Sequence, residues 1–178
     1  MAHPQQQEFV KSIKNKFPSK FKKAKVLEVG SLDINGSVRE FFENCEYTGI
    51  DIGEGVGVDI VKSGHEFDAE DKSFNTIISC ECFEHNPFWK ETFQNMIRMC
   101  KSKGLVIMTC ATTGRPEHGT TRSASFASPL TVEKGWDYYK NLTKKDFTDE
   151  FVFENLFSSY EFSVDDVAKD LYFYGIKK

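Results

Sequence analysis

The residues with the clearest chemical meaning lie at the ends of two short apolar runs. The first run contains Glu28 and ends at Gly30, and Gly36 follows in the next turn. The second run, residues 47–52, contains Asp51 about twenty residues after Gly30, a separation typical of an acid that binds both hydroxyls of a ribose. Ligands of open α/β sheets bind beyond the carboxyl ends of the strands. The spacing therefore predicts a nucleoside site.

The charges around the first turn indicate which nucleoside is bound. A dinucleotide site needs three closely spaced glycines so that backbone N–H groups can approach a pyrophosphate. This turn offers only Gly30 and Gly36, and it places Glu28 and Asp33 beside them. Two carboxylates repel a pyrophosphate but suit an ammonium and a sulfonium, and the helix expected after Gly36 can receive a single carboxylate. S-adenosylmethionine fits this pattern, whereas NAD does not, and no Gly-Lys-Ser/Thr follows to make a P-loop.

These residues need a scaffold, and the hydrophobic pattern predicts one. Continuous apolar runs predict strands at residues 24–30, 47–52, 58–61, 75–80 and 105–110. Helical spacing predicts helices at residues 9–17 and 38–45, and a third that Asn86 caps, with Pro87 at its first position and Gly104 after its end. The alternation predicts an α/β fold, with a Rossmann-like, mostly parallel sheet and helices on both faces.

The C-terminal third departs from this alternation. Residues 111–141 are rich in Thr, Ser, Gly and Pro and contain Trp136, Tyr138 and Tyr139, which predicts a substrate lid. A helix is expected over residues 144–156, followed by two strands, 160–164 and 170–176, that form an antiparallel C-terminal pair at the sheet edge. We expect one domain over residues 1–178, with residues 1–23 as an N-terminal helical extension.

The composition is that of an ordinary folded protein, with 39% hydrophobic and 28% charged residues. No apolar run approaches the roughly 20 residues that span a membrane, and the first residues lack the apolar core of a signal peptide. A cytoplasmic location is therefore expected, with no membrane partner. The net charge of −4 argues against nucleic acid as the main partner. Nothing in the sequence defines the oligomeric state.

The cysteines favour free thiols over a metal centre. There are five, an odd number, and they lie within apolar stretches. The spacing Cys80-x-Cys82-x-x-His85 raises the possibility of a metal site, but no second ligand pair follows at zinc-like spacing. No metal site is therefore predicted.

The motifs taken together resemble those of a known family. Five segments match in order: residues 26–30, 47–51, 58–61, 73–79 and 83–85. They resemble the motifs of class I S-adenosylmethionine-dependent methyltransferases, most closely the methyltransferase-11, or UbiE-like, small-molecule type. The resemblance covers residues 24–112. It departs from the usual pattern at Gly30-Ser31-Leu32, where Gly-x-Gly is common, and at Ser63, where the family usually has Asp.

The resemblance implies that loops after the first four strands bind the cofactor. The implied residues are Glu28, Gly30, Ser31, Gly36, Asp51, Ile52, Gly64, His65, Cys80 and Glu81. The first four would form the methionine side, with Gly36 opening the helix. Asp51 and Ile52 would hold the ribose and one adenine face. Gly64 and His65 would contact the adenine edge, and Cys80 and Glu81 lie where the fourth strand meets the cofactor.

Two histidines are the candidate catalytic residues. His118 follows the fifth predicted strand and is the first candidate for a general base, with His85 as the second. The implied reaction transfers a methyl group from S-adenosylmethionine to a small-molecule acceptor. A cofactor-binding protein that acts as a partner or regulatory subunit without methyl transfer is the alternative, and a nicotinamide-dependent oxidoreductase is a more distant one.

Overall fold

The computed structural model describes residues 3–178. It contains seven strands: β1 (Lys25–Val29), β2 (Glu46–Asp51), β3 (Ile60–Val61), β4 (Phe74–Cys80), β5 (Cys100–Ala111), β6 (Phe157–Asp165) and β7 (Asp170–Lys177). They form one sheet in the order β3-β2-β1-β4-β5-β7-β6. Strands β1 to β5 pair in parallel, while β7 runs antiparallel to both β5 and β6. The predicted Rossmann-like sheet with an antiparallel C-terminal pair is confirmed.

Five helices accompany the sheet: α1 (Pro4–Lys16), α2 (Trp89–Met99), α3 (Pro129–Glu133), α4 (Lys144–Glu150) and α5 (Phe153–Leu156). Within residues 3–178, none of these helices has the length and apolar character needed to cross a membrane.

The two faces of the sheet are covered by different elements. Neighbouring residues on a strand point to opposite faces, so Val26 and Leu27 of β1 belong to separate clusters. The first cluster includes Val10 and Ile13 of α1. The second is rich in aromatic rings and centres on Phe93 of α2. Helix α1 therefore covers one face, and α2 with the C-terminal helices covers the other.

The predicted helix over residues 38–45 is absent, and this prediction was wrong. Only a single 3-10 turn, Arg39–Phe41, forms there, and Phe42 is already extended. Gly36 and Asn44 both have positive φ values, of 132° and 53°, which leaves too few residues between them for a stable helix. The apolar side chains of this segment still pack against the cluster that α1 covers.

Two other helix boundaries differ from the prediction. Phe88, not Asn86, is the N-cap residue of α2, while the Asn86 side chain accepts a hydrogen bond from the Phe88 backbone N–H. The helix ends at Met99, and Cys100 at once pairs with Phe74 of β4. The sequence up to Gly104, expected to end the helix, is therefore part of strand β5. Tertiary pairing with β4 outweighs the local end signal.

The helix expected over residues 144–156 is divided in two. Phe151 and Val152 between α4 and α5 have extended backbones. This break lets Phe151 and Phe153 both contact the ring of Phe93. The gain from aromatic packing explains why the chain does not continue as one helix.

Candidate functional site

A cavity opens at the carboxyl ends of β1, β2 and β4 and contains about 710 Å³ of space, part of it open to solvent. Eight of the predicted site residues line it: Glu28, Gly30, Ser31, Gly36, Asp51, Cys80, Glu81 and His85. The structure therefore brings together residues that are distant in sequence but follow neighbouring strands.

Glu28 lies buried in the wall of this cavity. Its Oε2 accepts a hydrogen bond of 2.8 Å from the hydroxyl of Tyr47. Burial raises the pKa of Glu28 to about 8, although the Tyr47 hydrogen bond opposes the rise. In the free protein this carboxyl group therefore holds its proton for much of the time near neutral pH. The turn, predicted to carry the negative charges of Glu28 and Asp33, is therefore less negative than expected in the free protein.

Gly30 begins the turn after β1 with a φ of 79°. A Cβ atom at this position would lie 2.6 Å from both Cβ and Sγ of Cys82, so no larger residue fits. The backbone N–H groups of Gly30 and Ser31 both donate to the carbonyl of Ile50, at 2.9 and 3.1 Å. The buried hydroxyl of Ser31 has no hydrogen-bond partner among the described residues. It is a polar atom free to contact a ligand.

Gly36 lines the cavity. The resemblance predicted that it opens a helix, and this prediction was wrong. Its N–H donates a 2.7 Å hydrogen bond to Oδ1 of Asp33, which closes a turn instead. The turn after β1 therefore presents no helix N-terminus to the cavity.

Asp51 ends β2 and links the turn after β1 to the chain that follows β2. Its Oδ2 accepts a 3.0 Å hydrogen bond from the N–H of Leu32, and its Oδ1 accepts one of 2.8 Å from Ile52. Burial raises the pKa of Asp51, while these two backbone bonds oppose the rise. Each carboxylate oxygen accepts one backbone bond and keeps a lone pair for a further donor, such as a ribose hydroxyl.

The predicted adenine region contains a set of stacked rings. The ring of His65 stacks on Phe88 with centroids 4.2 Å apart, and Trp136 packs edge-on to Phe88 at 5.4 Å. A Cβ on Gly64 would lie 2.6 Å from Val29, so this glycine allows close packing. Ile52 lines the same region. Sequence reasoning did not select Phe88, because its place before α2 gave no sign that it faces a ligand.

Glu81 follows β4 with a φ of 52° and is held by Thr109, whose hydroxyl donates to Oε1 at 2.9 Å. Its Oε2 lies 3.8 Å from Nε2 of His3. The same His3 nitrogen lies 2.5 Å from Oδ2 of Asp170. The other carboxylate oxygen, Oδ1, lies 3.3 Å from Arg115. Burial alone would lower the pKa of His3, but the Asp170 and Glu81 carboxyl groups raise it to about 9.

Helix α1 also contributes to the cavity through Gln6. This side chain lines the cavity, is fully buried and has no hydrogen-bond partner for either amide atom among the described residues. Neither His3 nor Gln6 was selected from the sequence. Only the packing of α1 over the sheet brings the start of this helix to the cavity.

The two predicted catalytic histidines lie together, with ring centroids 4.9 Å apart. Tyr139 packs against both rings. His85 lines the cavity, whereas His118 does not and contacts the ring of His85 instead. Burial lowers the pKa of His85 to about 3, and burial also lowers the pKa of His118. His85 is therefore a poor base near neutral pH.

The predicted lid approaches the cavity through one short stretch. Residues 127–131, which include the start of α3, line the side opposite the β-strand ends. Trp136 and Tyr139, from the same segment, contact the adenine region and the two histidines. Residues 111–141 thus touch each part of the site.

Comparisons with known proteins agree with this architecture. The sequence matches the methyltransferase-domain family, in its methyltransferase-23 form, over residues 1–166, so the chain belongs to that family. It is thereby confirmed as a class I S-adenosylmethionine-dependent methyltransferase, as predicted. No curated protein matches the sequence significantly.

Solved structures share the fold at low identity. One is a 1,6-didemethyltoxoflavin N1-methyltransferase from Burkholderia thailandensis, with bound 1,6-didemethyltoxoflavin and S-adenosylhomocysteine. It has a TM-score of 0.61 and 12% identity, over 100% of this chain and 92% of the other. Another is phosphoethanolamine N-methyltransferase 2 from Haemonchus contortus, with a TM-score of 0.64 and 14% identity, over 96% of this chain and 52% of the other.

A third similar structure involves a protein partner. It is the complex between the Haloferax volcanii Trm112 methyltransferase activator and a putative methyltransferase. The TM-score is 0.58 and the identity 10%, over 99% of both chains.

Proposed function

We propose that this protein binds S-adenosylmethionine in the cavity beyond β1, β2 and β4 and transfers its methyl group to a small-molecule acceptor. The observation that supports this most directly is that Glu28, Gly30 and Asp51 line one cavity from the ends of two adjacent strands. The ten residues predicted from the resemblance are proposed as its cofactor contacts.

The residues present fit this cofactor. The unpartnered Ser31 hydroxyl and the Glu28 carboxyl group are placed to receive the amino-acid end. Asp51 has lone pairs to accept ribose hydroxyls. The rings of His65, Phe88 and Trp136 offer flat apolar surface to a purine. The backbone N–H groups of residues 30–33 and 36 are already hydrogen-bonded within the chain, so they are not free to bind a pyrophosphate.

When bound, S-adenosylmethionine supplies a methyl group on a good leaving group. The protein's task is then to align the acceptor and to exclude water. We propose that residues 111–141 close over the acceptor as a lid. His118 is proposed to take a proton from an acceptor that starts protonated, with His85 as second candidate.

Calorimetric titration with S-adenosylmethionine, S-adenosylhomocysteine and NAD tests the cofactor. Binding of the first two at micromolar concentration without binding of NAD is expected, and the reverse result contradicts the proposal. Formation of S-adenosylhomocysteine across a pool of small metabolites then tests transfer. Tight binding with no product, alone or with added protein partners, would favour the regulatory alternative. The regulatory alternative is motivated by the fold that this chain shares with a structure in which a putative methyltransferase is bound to an activator protein. The cytoplasmic location and single-domain organisation stay predictions.

A further inference from the structure

Three side chains of metal-ligand type meet beside the cavity. They are Glu84, His85 and His118, and one donor atom from each lies within 4.8 Å of the other two. Glu84 has no place in the proposed cofactor site, and the sequence did not select it. Two histidines and one carboxylate are a ligand set that binds divalent first-row transition metals.

The atoms of this cluster that could bind a metal have no hydrogen-bond partners among the described residues. Glu84 is completely buried, yet neither carboxylate oxygen accepts a hydrogen bond. His85 is 3% exposed with both ring nitrogens unbonded, and Nε2 of His118 is buried without a partner. Buried polar groups in folded proteins are nearly always bonded. These unbonded groups, with one ligand atom of each residue within 4.8 Å of the other two, are suited to bind one shared ion.

The orientation of His118 is suited to metal binding. Its Nδ1 lies 3.0 Å from the backbone carbonyl of Pro116 and can donate its proton there. This fixes the tautomer in which Nε2 has a free lone pair, as a carbonyl bonded to the other ring nitrogen does for metal-binding histidines. The 3-10 turn Phe83–His85 holds the other two ligands directly after β4, and the N–H of Lys140 donates to the Glu84 carbonyl at 2.9 Å.

A second cluster of this kind differs in its charge, although Nε2 of His3, Oε2 of Glu81 and Oδ2 of Asp170 likewise have no hydrogen-bond partner among the described residues. His3, Glu81 and Asp170 also lie within metal-binding distance of one another. There, however, Asp170 already has His3 and Arg115 as cationic partners. Within residues 3–178 no lysine or arginine forms an ion pair with Glu84, whose ion-pair contact is with His85 at 3.9 Å.

We propose that Glu84, His85 and His118 bind one divalent transition-metal ion, such as Zn²⁺ or Fe²⁺, at the acceptor side of the cavity. Bonds of about 2.1 Å separate ligand atoms by roughly 3 to 3.5 Å, so small side-chain rotations complete the site. Three protein ligands leave a coordination position open. Because His85 lines the cavity, that position is reachable from it.

The ion also defines a class of acceptor, an extension that rests on the proposed function. An acceptor oxygen bound at the open position would be held in place, and its proton would pass to solvent water more easily. His118, as a metal ligand, would then not take that proton itself. The favoured acceptors are hydroxyl compounds with oxygens able to ligate a metal.

Zinc binding by the chelator-treated full-length chain tests the site independently of catalysis. One Zn²⁺ per chain is expected by calorimetry and by elemental analysis. Glu84→Gln and His118→Asn should each weaken zinc binding by at least about 100-fold. Loss of a group that only hydrogen-bonds to a metal ligand already costs about 10–100-fold, and loss of the ligand itself should cost more. Glu117→Gln, which changes an exposed acid next to His118, should leave the affinity unchanged. Circular dichroism establishes that each variant is folded.

Three outcomes would overturn the proposal: no stoichiometric binding, binding that survives both substitutions, or a thiolate charge-transfer band with Co²⁺, which would assign the ion to cysteines. Titration of the same samples with S-adenosylmethionine separates the two proposals. Loss of cofactor binding with intact zinc binding contradicts the proposed function and leaves the metal site standing, and the converse contradicts only the metal site.

Discussion

The hydroxyl of Tyr47 donates a 2.8 Å hydrogen bond to Oε2 of Glu28 at the wall of the cavity. Burial raises the pKa of this carboxyl group to about 8, against the effect of that bond. The pair therefore sets whether this wall of the cavity, the proposed methionine side, is charged when a cation binds.

A dependence of cofactor affinity on pH follows from this pair. A bound ammonium or sulfonium lowers the pKa of Glu28, so binding below pH 8 releases a proton. Affinity for S-adenosylmethionine should rise from pH 6 to about 8, by up to roughly tenfold per unit, and then level off. Calorimetry in buffers of different ionisation enthalpy measures the released proton. Glu28→Gln should remove the slope, and Tyr47→Phe should extend it to higher pH. A flat profile in the wild-type chain would contradict this.

Gly30→Ala tests the close approach of the first turn to Cys82. The added Cβ would lie 2.6 Å from the Cys82 side chain, and φ is 79°. Gly135→Ala is the matched control, because φ there is 76° with no atom within 4 Å. Both variants incur roughly 1–2 kcal/mol of backbone strain. Only Gly30→Ala should lose about 1–3 kcal/mol more in urea unfolding, from overpacking, together with cofactor binding. Equal losses would show that the clash is relieved.

Asp51→Asn tests the proposed ribose contact. The amide keeps one oxygen acceptor but loses the charge, so affinity for S-adenosylhomocysteine should fall by about 10- to 100-fold, as for a lost hydrogen bond to a charged group. Asp59→Asn is the control, since Oδ2 of Asp59 also accepts a backbone bond, from Gly49 at 2.7 Å, but lies outside the cavity. Equilibrium binding distinguishes the two. Similar losses in both would mean that Asp51 acts only on the backbone.

The contact between His3 and Asp170 predicts a pH-dependent contribution to stability. The pKa of His3 is raised to about 9 in the folded chain, from 6.5. Its stabilising effect is complete below pH 6.5 and is lost as the pH rises through 9. His3→Gln should therefore reduce the free energy of unfolding at pH 6, by of order 1 kcal/mol, and have little effect at pH 9.5. Thermal unfolding of both chains across this range provides the check, and a constant difference would rule out the ion pair as its cause.

Much of the sheet could be predicted because its strands are continuously apolar and end in turn residues. Residues 75–80 and 170–176, for example, were placed within a residue of β4 and β7. Eight of the predicted site residues line one cavity for the same reason, since the strand ends define it. Local signals failed where tertiary contacts outweighed them: Gly104 lies in a strand because β5 pairs with β4 from Cys100 onward.

The acceptor side of the site could not be predicted in the same way. Gln6 reaches the cavity, and His3 reaches Glu81 in its wall, only because α1 packs across one face of the sheet, and no spacing in the sequence encodes that crossing. Glu84 was overlooked beside His85, because a single acid on a short turn has no periodicity to mark its burial. The positions that depend on long-range packing were the ones missed.

The position of β7 has a consequence for how the chain is made. This strand lies between β5 and β6, and it alone covers the edge of β5. During translation β5 leaves the ribosome nearly sixty residues before β7, so a long hydrophobic edge stays unpaired in the nascent chain. A ribosome stalled within that interval would present an aggregation-prone intermediate, and chaperone dependence should be greatest there.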